Sequence, residues 1–232
     1  MYKIYLSPSN QPANKYAIGN TNEKVQMEAV ARIVKTILDQ EYECETIIAT
    51  PYLGIDAAGR AKEAKDKDCH IYFAIHSNAG GGANASGAVA FYHPDSTTGK
   101  LLATNAVKEL NSICPIKSNR AISVENGMKA FNGVGYGEIR NPSKLGLTSV
   151  LVETDFHDNP KTAQWIIDNK DEIARAYVKA IVNTLNINKK EENKNKKYYR
   201  VQVGVFSSKD NAEKLLSKLK AAGFKDSFIK ID

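Results

Sequence analysis

Residues 70–75, HIYFAI, form a nearly unbroken apolar run that ends on His76 and then opens into SNAGGG. The run is too short for a helix, and its apolar residues occupy both alternating faces, so it reads as a central strand covered on both sides. LTSVLVE (147–153) repeats the pattern and ends on Glu153. Further strands are read at YKIYL (2–6), CETIIAT (44–50) and GAVAFYH (87–93). Between them lie helical patterns, clearest in TNEKVQMEAVARIVKTILDQ, where Val25, Ala29, Ile33 and Ile37 recur at helical spacing and Thr21 or Asn22 can cap. Residues 54–68, 99–113 and 159–187 hold further helices, the last segment one or two of them. Strands alternating with helices predict an α/β domain with a mixed or mostly parallel central sheet and helices on both faces.

The composition changes abruptly at NKKEENKNKK (188–197), which has five lysines and no apolar residue. Such a stretch cannot bury itself and is expected to be a flexible tether. Beyond it, YYRVQVGVF (198–206) alternates as a strand, residues 208–223 form a capped amphipathic helix ended by glycine, and DSFIKI (226–231) reads as a last strand. The expected organisation is a domain at 1–187, a linker at 188–197 and a small βαβ module at 198–232. A module of that size is below what a lone core usually sustains.

The net charge of +6 suggests an anionic partner, but much of the excess sits in the lysine run. Nothing in the chain reads or stacks on bases, so no nucleic acid is expected. Three cysteines without paired spacing (Cys44, Cys69 and Cys114) argue against a disulfide framework. The first residues, MYKIYLSPSNQ, lack the apolar core of a signal peptide, and no stretch approaches a membrane span. Synthesis in the cytoplasm without membrane insertion is the expectation.

In open α/β sheets functional groups gather beyond the carboxyl ends of strands. His76 and Glu153 end two buried strands, Ser7, Ser9 and Asn10 end the first, and Glu23 opens the first helix. A histidine and carboxylates converging with water make an incomplete zinc site with a further carboxylate available as base. The alternative is a hydrogen-bonded structural histidine and an exposed strand end, and spacing alone leaves both open. The glycines at 80–82 and Gly87 could leave room for a bulky substrate or simply form a mobile loop. His70, His93 and Trp165 read as structural, surface and core residues.

AIHSNAGG resembles the SIHxNA segment of the zinc-dependent N-acetylmuramoyl-L-alanine amidases of the amidase-3 family. VLVETDFHDNPKTAQWI is similar to their VLVExGFxxNxxDAxxL ending, and TNEKVQMEAVARIV resembles their acidic residue at the head of the first helix. The resemblance spans roughly residues 2–185. It implies zinc held by Glu23 and His76, Glu153 as the catalytic carboxylate, and hydrolysis of the amide between N-acetylmuramic acid and L-alanine in peptidoglycan. Arg140 in GEIRNPSKLG resembles the arginine before the family's last strand and is a candidate contact for a stem-peptide carboxylate.

One departure follows. The family opens with Asp-Pro-Gly-His-Gly-Gly, whose histidine is a zinc ligand, whereas here the segment is SPSNQ and Asn10 takes the histidine's place. Three accounts stay open: Asn10 ligates or orients water, His157 supplies the third ligand, or the site is degraded and the protein binds the wall without cleaving it. Joint retention of Glu23, His76 and Glu153 favours catalysis. The tail resembles one half of a SPOR domain, a peptidoglycan-binding module, which suggests that two chains pair their halves into a homodimer. A wall-degrading domain without a signal peptide points to lysis from inside the cell, by a phage endolysin or a mother-cell autolysin.

Overall fold

The computed structural model describes residues 1–50, 57–191, 201–224 and 227–229. They belong to two compact units, Met1–Lys190 and Glu191–Asp232. In the first, β1 (Tyr2–Pro8) leads to α1 (Glu23–Glu41), β2 (Cys44–Ile48), α2 (Ala57–Asp66) and β3 (Ile71–Asn78). Next come β4 (Val89–Tyr92), α3 (Thr97–Ile113), β5 (Val124–Asn126), a 3-10 turn (Gly127–Lys129) and the single turn α4 (Ala130–Gly133). Helix α5 (Gly137–Lys144), β6 (Thr148–Phe156), α6 (Pro160–Asp168) and α7 (Lys170–Leu185) complete the unit.

The six strands form one sheet in the order β2-β1-β3-β6-β4-β5. β2, β1, β3 and β6 run parallel, β4 is antiparallel to β6, and β5 is parallel to β4. The mixed, mostly parallel sheet expected from the sequence is the one observed. Side-chain alternation assigns the layers. Ile71, Phe73, Ile75, Val150 and Val152 join a core with residues of α1, α3 and α7, including Met27, Leu102 and Tyr177. Tyr72, Ala74 and Leu151 face the other side, against Ala64 of α2 and Ile139 of α5. Each large side chain so buried contributes about 1.5–3 kcal/mol, which is why the two continuous apolar strands lie in the middle.

Asn22 caps α1, its side chain accepting the Val25 N–H, and so fixes Glu23 in the first turn. The closing segment is two helices because Asn169 breaks it, with φ −118° and ψ 33°. Residues 188–190 of the expected tether meet the first unit: Glu43 N donates to Asn188 O, Lys190 N donates to Glu41 O, and Lys189 bridges to Tyr42. Residues 192–197 of that stretch lie outside the described residues.

In the second unit the described residues form α8 (Lys209–Ala221) and no strand. Residues 198–200, 226, 230 and 231 of the expected flanking strands lie outside the described residues. Among the described residues no strand pairing involves 201–206, and Val201 and Val205 are more than three-quarters exposed. The helix of the expected module is the one observed, and the pairing expected of its two strands involves residues outside the described ones. Among the described residues no helix is long and apolar enough to cross a membrane.

On the α2 face Glu63 accepts from the Thr50 amide at 3.0 Å and from the hydroxyls of Thr50 and Tyr5. Burial pushes its carboxyl up, but these hydrogen bonds outweigh burial and hold it at about 2, below the ordinary 4.5. A folded-state value below the unfolded one stabilises fully above the unfolded pKa and is lost as pH falls towards the folded one. Glu63→Gln is expected to lower Tm at neutral pH, with the gap from wild type narrowing between about pH 6 and about pH 3. Paired thermal melts across that range check it, and a constant gap would count against this role.

Candidate metal centre

β3 and β6 are parallel neighbours in a register that sets His76 directly opposite Glu153. His76 shares strand parity with Tyr72 and Ala74, and Glu153 with Leu151, so both project to the same side of the sheet. Glu23 arrives from the head of α1. Ligand atoms of Glu23, His76 and Glu153 all lie within 4.8 Å of one another. Glu23 and His76 are 1% and 8% exposed.

His76 Nδ1 lies 3.0 Å from Glu23 Oε1. Glu23 also accepts from the Asn14 amide at 2.7 Å and from the Ser77 backbone N–H at 3.2 Å. The far ring nitrogen of His76, Nε2, lies 3.7 Å from Glu138 Oε1. Glu153 Oε2 is buried without a hydrogen-bond partner. One imidazole therefore stands among three carboxylates, two of them buried.

The charges respond accordingly. Burial alone would push His76 down, but Glu138 and Glu23 outweigh it and raise the imidazole to about 10. Glu23 is held below the usual carboxylate range: burial opposes this, and hydrogen bonding to His76 and Asn14 overcomes it. Glu153 is pushed up to about 7 by burial, with Glu23 adding and the His76 charge subtracting. Buried negative charge demands a compensating cation. A divalent ion meets that demand better than one proton, and imidazole plus carboxylates is a donor set that suits zinc. The orphaned Glu153 oxygen and the surplus of buried carboxylates fit a metal here.

Other residues singled out in the sequence lie elsewhere. Asn10 lines a neighbouring cleft with Lys24, Arg32 and Arg60, while Gln11, one residue on, approaches His76 with Nε2 3.4 Å from Nδ1. His157 Nδ1 is 3.0 Å from Ser77 Oγ, and its ring stacks on Tyr16 at 5.1 Å, so it sits among structural partners and not with the three clustered residues. Arg140 donates to Val134 O at 3.0 Å and braces its own loop. The loop at 80–82 is pinned rather than loose, because Asp158 accepts from the Gly80 and Gly82 amides at 2.8 and 3.2 Å. Glu138 had no signal in the sequence: an acid in a first helical turn reads as ordinary dipole compensation.

His157→Ala is expected to cost about 2–4 kcal/mol by removing a buried ring and its hydrogen bond, with zinc content unchanged. Urea melts and metal analysis of the purified variant check both, and loss of zinc from a folded variant would favour His157 as the third ligand.

A mixed α/β sheet with an imidazole–carboxylate pocket at the carboxyl ends of its central strands defines the class as an α/β domain with a candidate hydrolytic metal site. The family described as N-acetylmuramoyl-L-alanine amidase matches residues 4–183, and the chain belongs to it. The SPOR domain family matches residues 170–230, beginning inside α7 of the first unit. The sporulation-specific N-acetylmuramoyl-L-alanine amidase of Bacillus subtilis (strain 168) is 24% identical over 97% of this chain and 83% of the relative. Among solved structures, the amidase AmiC2 of Nostoc punctiforme aligns with a TM-score of 0.66 at 17% identity, covering 80% of this chain and 97% of that one. The catalytic domain of CwlV from Bacillus (Paenibacillus) polymyxa var. colistinus gives 0.64 at 17% identity, covering 81% and 100%.

Proposed function

We propose that this chain is a zinc-dependent peptidoglycan amidase in which Glu23 and His76 hold the ion and Glu153 is the catalytic carboxylate. The observation that carries the reading is the convergence of these three side chains within 4.8 Å at the sheet edge. When bound, the ion supplies Lewis-acid chemistry, polarising an amide carbonyl and acidifying water. Glu153 takes a proton from the attacking water as the new C–O bond forms. It returns that proton to the amide nitrogen as the C–N bond breaks, leaving the lactyl carboxylate of muramic acid and the free amine of L-alanine. Burial suits it to both roles, because a carboxyl near 7 exchanges its proton at neutral pH. Ser77 N–H and Asn14 hold Glu23 in place during this exchange. Arg140, beside the loop that it braces, is the candidate contact for a stem-peptide carboxylate.

The third protein ligand is open between Asn10, His157 and their neighbours, and the placement of Gln11 at 3.4 Å from Nδ1 makes it the nearer neutral side chain. The SPOR match supports peptidoglycan binding by the tail after a linker, with pairing of two tails into a homodimer as the arrangement that covers its exposed valines. The name of the Bacillus subtilis relative favours an autolysin acting from the mother cell over a phage endolysin.

Turbidity clearing of purified cell walls, coupled to measurement of new L-alanine amino groups, tests the reaction. Glu153→Gln is expected to keep its zinc and lose about 10²–10⁴-fold in kcat, while His76→Ala is expected to lose zinc. Wild-type zinc-loaded protein that binds walls without releasing amino groups would leave the non-catalytic wall-binding reading standing instead.

A further inference from the structure

We infer that Glu138 is a positioning residue that fixes which ring nitrogen of His76 is presented to the metal. The inference rests on the metal reading proposed above. The two faces of the imidazole differ. Nδ1 has Glu23 Oε1 at 3.0 Å and Gln11 Nε2 at 3.4 Å. Nε2 is buried without a hydrogen-bond partner, and Glu138 Oε1 at 3.7 Å is the one carboxylate within ion-pair range of it among the described residues. A carboxylate there stabilises a proton on Nε2 and leaves the Nδ1 lone pair for the ion. Carboxylates behind ligating histidines act in this way in metal sites generally.

Glu138 is itself immobilised. It accepts from Ser7 Oγ at 3.3 Å on both oxygens and from the Tyr72 hydroxyl on Oε2. Ser7 Oγ in turn accepts from Arg60 Nη1 at 2.9 Å and from the Tyr72 hydroxyl at 3.0 Å. Arg60 Nη1 also donates to Pro8 O at 2.6 Å. Every member is at most 8% exposed. Two strands and two helices thus enclose a cation and an anion that touch only through a serine hydroxyl. A merely stabilising network would place the guanidinium directly on the carboxylate, where the charge-assisted bond is strongest. Here Arg60 neutralises at one remove, and one oxygen of Glu138 stays directed at His76.

The full-length protein is to be titrated with zinc against a chromophoric chelator, as wild type and as Glu138→Gln, with Tyr72→Phe as a milder variant that loosens Glu138 without removing it. The expected result is a zinc Kd about 10–100-fold weaker for Glu138→Gln, a smaller loss for Tyr72→Phe, and circular dichroism unchanged in both. In parallel, wild-type protein loaded with a spin-active cadmium isotope is expected to show metal–nitrogen coupling at His76 Nδ1 and a retained Nε2–H. Wild-type affinity in a folded Glu138→Gln variant, or coupling through Nε2 in the wild type, overturns the inference while leaving the amidase reading intact. Wild-type protein that takes up no zinc removes the metal reading and this inference together.

Discussion

The parallel pairing of β3 with β6 is the constraint from which the rest of the site follows. Its register aligns Ile71–His76 with Thr148–Glu153 residue for residue, so two apolar strands deliver their terminal polar groups to one point. Because alternate side chains change sides, a slip of one residue would send either group to the opposite layer. The register is enforced by burial: Phe73, Ile75, Val150 and Val152 can be covered only if they meet α1, α3 and α7. Packing energy spent in the middle of the sheet is thereby converted into positional accuracy at its edge.

What gathers at that edge is an excess of negative charge. Glu23, Glu138 and Glu153 surround His76 from α1, α5 and β6, and each is tied to a different layer. Without a metal the balance is met by holding His76 protonated, at about 10, and by letting Glu153 rise to about 7. Under the reading proposed above, an ion held by Glu23 and His76 would take the place of the imidazole proton and leave Glu153 free to trade its own. Backing residues, Asn14 and Ser77 for Glu23 and Ser7 and Tyr72 for Glu138, give these two carboxylates settled orientations.

The contrast between the two units follows from size and contact. The first closes its sheet with helices on both faces, and its last residues, 188–190, hydrogen-bond back onto Glu41 and Glu43 despite their polar character. Backbone groups at the end of α1 and beside β2 offered partners that composition could not reveal. In the second, the amphipathic helix α8 forms because helical hydrogen bonds are local.

The sequence alone determined five of the six strands and the long helices of the first unit, their alternation, a cap at Thr21 or Asn22, and three of the residues that meet at the sheet edge, because hydrophobic period and chain order carry that information locally; β5, α4 and α5 it did not show. It left the third ligand open between Asn10 and His157, and it gave no sign that Gln11 reaches the imidazole or that Ser77 and Tyr16 pack against His157. Glu138 it passed over entirely. Those matters are set by which face a side chain takes and by what packs against it from 131 residues away, as Ser7 does against Glu138. Such contacts exist only after the sheet has closed, and so only the tertiary structure could decide them.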